Sequence, residues 1–324
     1  MLKNYFTIIL RNLWKNKLYT FINILSLGVG IASIVWGYQN YRYSFSFNKF
    51  IKDDKTVFRI LTKVKGSDNL KGICPGPVGL FAKNDFSTVK EAVRWDSRGI
   101  NLKADKNEPL EARAHFTDAH FFNLFNFPLV KGTNEISDVS TVLITETGAK
   151  RFFGESNPID KTILFYSDET YKKPLRVTGV LKDPPINSSF QFEIITNTYN
   201  QLKSDGSQVK SDEWSWFANA VFVKLSSPSE AKTLEAKFKK YLLLQQAASQ
   251  DTKVESFIFQ PLLEVGNNTE VDSNALYARP SDSAAYGPLV LAILIFLSAC
   301  LNFANTSVAQ SNRRLKEMGI RKVM

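Results

Sequence analysis

The chain has 324 residues, with 41 Lys and Arg against 31 Asp and Glu, and most of its formal net charge of +10 sits at the two ends. Lys3, Arg11, Lys15 and Lys17 stand without an acid in residues 1–20, and Arg313, Arg314, Lys316, Arg321 and Lys322 are opposed only by Glu317 in residues 313–324. A nucleic-acid binder would gather its bases on a folded domain, so bases set beside apolar runs argue against that class and follow the positive-inside pattern, with both ends cytoplasmic and the middle outside.

Residues 1–17 predict an amphipathic helix at the cytoplasmic membrane surface. Leu2, Tyr5, Phe6, Ile9, Leu10, Leu13 and Trp14 recur at helical spacing, and Lys3, Arg11 and Lys15 occupy the remaining surface. A signal-peptide n-region is the competing reading. Seventeen residues is long for one, and no A-x-A-like cleavage site follows the next apolar run, so the segment is expected to be retained.

Residues 18–41 carry no charge over 24 positions, which as a helix is about 36 Å against a hydrocarbon core of roughly 30 Å. This is the expected first transmembrane helix. Ser26, Gly30, Ser33 and Gly37 fall at spacings of four, three and four, placing small residues on one face where a second helix can approach closely.

Residues 42–282 read as an α+β domain outside the membrane. Strands are expected at 56–64, 89–95, 110–116, 141–144, 161–166, 175–181, 190–196, 218–224 and 256–261, with helices from Thr117 or Asp118 to Phe125, over 146–153 ending at Gly154, and over 229–244. Cys74-Pro75-Gly76-Pro77 and Asp183-Pro184-Pro185 read as breakers. No Gly-rich phosphate turn joins a strand to a helix, so α+β is favoured over a doubly wound sheet.

Chemistry-bearing motifs are absent. There is no G-x-x-x-x-G-K-[ST] to cradle a nucleotide's phosphates and no G-x-S-x-G elbow. Cys74 and Cys300 are too few for a disulfide framework. His115 and His120, five apart, lack a partner at ligand spacing, and no metal is expected. Asp53-Asp54 and Asp212-Glu213 read as charged surface. Trp214 and Trp216, at i and i+2, are expected on one face of a strand.

Residues 283–310 form the second expected transmembrane helix. Ser298, Asn302 and Asn305 make a polar stripe within it that should turn toward another helix, because asparagine in hydrocarbon is costly unless paired. Residues 311–324 are its basic continuation.

In order along the chain, these stretches resemble the permease subunits of MacB/FtsX-type bacterial ABC transporters. The likeness rests on Arg11-Asn12-Leu13-Trp14-Lys15-Asn16-Lys17, on Gly28-Val29-Gly30-Ile31-Ala32, and on Phe45-Ser46-Phe47-Asn48-Lys49-Phe50. It continues at Val142-Leu143-Ile144-Thr145-Glu146 through Phe152-Phe153-Gly154, and at Val177-Thr178-Gly179-Val180 with Asp183-Pro184-Pro185. The most specific part is Ala299-Cys300-Leu301-Asn302-Phe303 followed by Arg313–Lys322.

The resemblance implies a non-catalytic subunit of the bacterial inner membrane, with a MacB-like periplasmic core domain and the start of an FtsX-like module. It binds no cofactor itself, since ATP belongs to a separate ABC ATPase. Arg313, Arg314, Lys316, Glu317, Gly319, Arg321 and Lys322 would form the coupling segment that docks on that ATPase. A second permease copy or half, membrane lipid and a periplasmic partner are further implied partners. Members have at least four spans, so the sequence is expected to be the front portion of a longer permease. A two-span receptor with an extracytoplasmic sensor domain fits the span count equally well.

Overall fold

The computed structural model describes residues 11, 14, 17–52, 55–104, 108–166, 172–202, 206–249, 251–267 and 271–323, with the side chains of 267, 310, 313–314, 316–319 and 321–323 outside that set. The expected surface helix over 1–17 therefore lies largely outside the described residues, as does Asp53-Asp54. The chain divides into a helical unit, Met1–Ser46 with Pro280–Met324, and a domain, Phe47–Arg279.

Helix α1 (Lys17–Ser44) leads into the domain. There β1 (Val57–Val64) is followed by the short strands β2 (Leu70–Lys71) and β3 (Cys74–Pro75), helix α2 (Pro77–Asp85) and the long strand β4 (Val89–Ala104). Next come β5 (Leu110–Thr117), α3 (Phe121–Leu124), β6 (Leu129–Gly132), β7 (Thr141–Thr145), α4 (Glu146–Phe153), β8 (Thr162–Tyr166), β9 (Lys172–Leu181) and β10 (Ile194–Asn197). β11 (Phe217–Ala218), β12 (Ala220–Leu225), α5 (Ala231–Lys237), α6 (Lys239–Ala248), β13 (Val254–Pro261) and β14 (Val271–Asp272) complete the domain, and α7 (Asp282–Val323) leaves it.

The domain is α+β and has two lobes sharing one strand. In the first lobe the strand order is β13-β1-β12-β4, with every neighbour antiparallel. Helix α2 lies in the connection from β1 to β4, and α5 with α6 in that from β12 to β13. This is the split βαββαβ arrangement. Everything from β5 to β11 is inserted between its second and third strands.

The second lobe is a closed barrel. β4 pairs β5, β5 pairs β10, β10 pairs β7, β7 pairs β9, β9 pairs β8, and β8 returns to β4. Closure removes the free edges that an open sheet would expose. The interior follows the two-residue period of a strand: Ala112, Ala114 and Phe116 from β5 and Ile163 and Phe165 from β8 are buried in one cluster with Phe152 and Phe153 of α4. Helix α4 is capped where the sequence placed it. Thr145 Oγ1 accepts from Gly148 N at 3.2 Å, and Gly154 ends the helix at φ +61°.

β4 pairs β12 over its first seven residues and β5 from Trp95 onward, so one backbone runs through both lobes. At the crossover, Trp95 joins Phe121, Phe125, Phe127, Phe190, Phe192 and Phe222 in an aromatic cluster.

Several local expectations differ. Pro77 was read as part of a breaker but opens α2, because proline is tolerated at the first helical position, where its missing N–H has no partner to lose. The helix expected over 229–244 is interrupted at Phe238, where α5 ends and α6 begins. Asp118 does not cap α3. Its carboxylate instead holds Arg94. Trp214 and Trp216 lie in a turn ahead of β11 rather than on a strand, both buried.

Candidate functional site

The residues singled out in the two apolar runs belong to the helical unit, where α1 and α7 pack along their length. The contact is made where side chains are smallest. A Cβ added at Gly37 would lie 3.0 Å from Leu289 Cα, and one at Gly30 would lie 3.2 Å from Phe296 Cα, so backbone meets backbone at both points. On α7 the buried positions are Ala285, Ala292 and Ala299, seven apart. Seven residues is two turns, which keeps these alanines on one face of a helix that wraps its neighbour.

Ser26 and Ser33 are half-buried. Ser26 Oγ bonds Asn23 O at 3.2 Å and Ser33 Oγ bonds Val29 O at 2.8 Å, each within its own helix. Asn302 is half-buried, and its Nδ2 reaches Ser26 Oγ at 3.5 Å, across the pair. Ser298 and Asn305 are exposed, pointing away from α1. The stripe is thus divided: Asn302 faces α1, whereas Ser298 and Asn305 lie roughly 40° and 60° round the helix from it, both on the same side. Leu18, Phe21, Leu25 and Trp36 on α1 and Leu291, Leu294, Leu297 and Leu301 on α7 are exposed, as faces turned to hydrocarbon would be.

Sequence reasoning missed the most specific contact of the pair. Pro288 sits inside α7, and Asn40 of α1 donates from Nδ2 to Ala284 O at 3.0 Å and Ala285 O at 3.3 Å. Tyr41, Phe45 and Tyr286 pack around this point, with ring centroids 4.8 to 5.6 Å apart. A proline in an otherwise uninterrupted apolar run, with one asparagine near the end of the other run, was the available signal.

Helix α7 is 42 residues long and continues without a break beyond 310 through the basic segment. Arg313, Arg314, Lys316, Glu317, Gly319, Arg321 and Lys322 are all on this helical backbone, and their side chains are outside the described residues.

The domain buries charge where its lobes meet. Arg94 on β4 and Asp118 form a bidentate pair, Nη2 to Oδ1 at 2.5 Å and Nε to Oδ2 at 3.0 Å, with the guanidinium 1% exposed. The Tyr199 ring lies 5.3 Å from the guanidinium carbon. A cleft of about 540 Å³ opens beside the pair, bordered by Phe81 and Asn84 of α2 and by His120, Ser137 and Tyr199 of the inserted lobe.

Asp96, two residues along β4, accepts from Gln201 Nε2 at 2.7 Å and from Ser97 N at 2.7 Å. Burial nonetheless raises its carboxyl to about 6. His115, buried against Trp95, is lowered to about 3 by burial and by the charge of Arg113. It is neutral at physiological pH. His120 is exposed, its side chain 53% accessible.

The chain matches the model of the MacB-like periplasmic core domain over residues 20–241. No curated protein matches it. Among solved structures it is similar to a permease-protein domain from Porphyromonas gingivalis, with 16% identity and a TM-score of 0.50, covering 65% of this chain and 91% of that one. It is also similar to the extracellular domain of the noncanonic ABC-type transporter YknZ from Gram-positive bacteria (15% identity, 61% of this chain and 98% of that one, TM-score 0.44). The periplasmic region of MacB from Actinobacillus actinomycetemcomitans gives 18% identity over 64% of this chain and 94% of that one, with a TM-score of 0.42. At these identities the likenesses concern fold.

Proposed function

The chain belongs to the MacB-like periplasmic core domain family of ABC-type transporter permeases, and on that footing we propose that it couples ATP hydrolysis on a separate ATPase to movement of its extracytoplasmic domain. The observation carrying this reading is the length and continuity of α7. Its 42 residues amount to about 63 Å of helix with one proline near its start, more than the 40–45 Å of a whole bilayer with its headgroups. A helix that starts three residues after the domain ends and runs into the basic segment can carry a displacement from one to the other. The family match favours this permease reading over the two-span receptor.

In this reading both ends of the chain lie on the cytoplasmic side of a bacterial inner membrane and the domain lies in the periplasm, as the terminal bases require. The ATPase docks on Arg313–Lys322, a second permease copy or half completes the membrane assembly, and a periplasmic partner or exported substrate takes up the motion. This chain supplies no catalytic group and no cofactor site of its own. The test is charge reversal, Arg321→Glu with Lys322→Glu, in the complete protein. Co-purification of the ATPase or its stimulation by the permease should fall. Wild-type levels of both would overturn the coupling assignment.

A further inference from the structure

Proline at position 288 has no N–H, so the carbonyl four residues earlier, that of Ala284, loses its helical donor. A carbonyl freed by proline in a membrane helix is satisfied by a neighbouring helix, a side chain or water. Here the Asn40 amide is the donor, at 3.0 Å from Ala284 O and 3.3 Å from Ala285 O. Its reach depends on Gly37 one turn earlier. There the backbones come so close that an added Cβ would stand 3.1 Å from Pro288 O itself. Glycine, asparagine and proline thus act as one device: the proline opens a carbonyl, the glycine brings α1 up to it, and the asparagine closes it.

Among the described residues of the opposite half, Asn302 Nδ2 reaches Ser26 Oγ at 3.5 Å, at the limit of a hydrogen bond, and Ser26 Oγ already bonds Asn23 O. Of these two asparagine contacts, the stronger is at the end where both helices join the domain.

We propose that Asn40 is the positioning residue of the helix pair, pinning α1 to the proline break of α7 so that the domain-joining end is the fixed point and the tail end is the one that shifts. The inference rests on the permease reading for its use in coupling, but not for the existence of the pin.

The test uses the full-length protein in lipid nanodiscs with spin labels in two settings. One pair, at Tyr38 and Val290, reports the domain-joining end, and the other, at Ile24 and Leu301, reports the tail end; all four positions are exposed. Cys300→Ser removes the second-span thiol. Asn40→Leu keeps the volume and removes the donor. It should lower the population of the short Tyr38–Val290 distance by about threefold to tenfold, the range measured for interhelical hydrogen bonds in membranes.

Pro288→Ala restores an N–H to serve Ala284 O, so in that background the Asn40 amide has no open carbonyl to close and Asn40→Leu should change the distances little: the double variant should match Pro288→Ala alone. A short distance unchanged in Asn40→Leu, or a loss of equal size with and without Pro288, would overturn the pin. Should Asn40→Leu unfold the chain, a folded double variant carries the same meaning and continued unfolding refutes the proposal. Because these distances are read without nucleotide, a loss seen only beside Pro288 together with unaltered ATPase stimulation by Asn40→Leu would sustain the pin and remove the coupling reading instead.

Discussion

In the domain the tightest contacts join side chains distant in sequence. Phe190 touches Phe121, Phe125, Phe127 and Phe222, with centroids 4.4 to 6.2 Å apart. In the helix pair the tightest contacts are backbone to backbone at Gly30 and Gly37, with one amide closing a proline's open carbonyl. The domain is locked by volume, since interdigitated aromatics and a closed barrel have few alternative arrangements of similar energy. The pair is held by the proximity of two backbones at their smallest residues.

The largest predicted effect follows from the domain's side of this contrast. Phe190→Ala removes a fully buried ring from the centre of the cluster and should destabilise the domain by about 3–5 kcal/mol, measured by urea unfolding followed through tryptophan fluorescence. The spin-label distances of the helix pair should not change. If they do, the two units are not held independently.

Much of the frame was legible, and the reasons are local. The spans announced themselves by uninterrupted apolar length, and α4 by the stop at Gly154. What escaped was set by partners far along the chain. β4 was expected to end at Trp95, because Asp96, Ser97 and Arg98 break the apolar run, yet the strand continues to Ala104 because β5 and β8 pair with its second half. Barrel closure depends on β8 meeting β4 some 60 residues away in sequence, and no periodicity encodes that meeting. Asp118 looked like a cap because its local context suits one; the buried Arg94, 24 residues distant, is its partner instead. In the helices the spacing of Gly30 and Gly37 pointed to the contact face of α1, whereas the alanines of α7, chemically featureless in an apolar run, gave way to the more conspicuous Ser298 and Asn305.

Next in size is a pH effect confined to the domain. The Asp96 carboxyl is raised to about 6 when folded, so the native state holds a proton that the unfolded chain releases near its ordinary value. Its contribution is fully present below about pH 4 and is lost as pH rises through about 6, an amount of about 3 kcal/mol. His115, lowered to about 3, acts in the opposite sense: stability present above its ordinary range is lost as pH falls from about 6.5. Between about pH 4 and 6 the two slopes oppose and largely cancel, so Asp96→Asn should unmask a rise of stability with pH over this range, the limb that His115 alone produces. Gln201 can accommodate the change by turning its amide, since its Oε1 lacks a partner among the described atoms. Thermal unfolding across this range checks it. A profile unchanged in the variant would show that another group, not Asp96, opposes His115.

The helix pair gives a smaller and more discriminating comparison. Gly37→Val places carbon 3.0 Å from Leu289 Cα and should cost about 1–3 kcal/mol of helix association through overpacking, whereas Gly28→Val meets nothing within 4 Å and should be silent. The short Tyr38–Val290 distance reports both, and equal effects at the two glycines would mean that close approach is not what holds the pair.

Smallest of all is Asn302→Leu. Its bond to Ser26 is long and its acceptor is shared, so removing it should cost no more than about 0.6 kcal/mol, the average for interhelical hydrogen bonds in a membrane protein. The value of this variant lies in its contrast with Asn40→Leu at the other end. Both remove one asparagine amide from the same interface, but Asn40 leaves a carbonyl that its own helix cannot satisfy, and Asn302 leaves a hydroxyl that already bonds its own backbone. A measurable loss of the Ile24–Leu301 short distance, equal to the loss that Asn40→Leu causes at Tyr38–Val290, would make the two ends equivalent and abolish the fixed point. A loss confined to the Asn40 variant means that the orphaned carbonyl at Pro288, not asparagine as such, decides which end of the pair stays still.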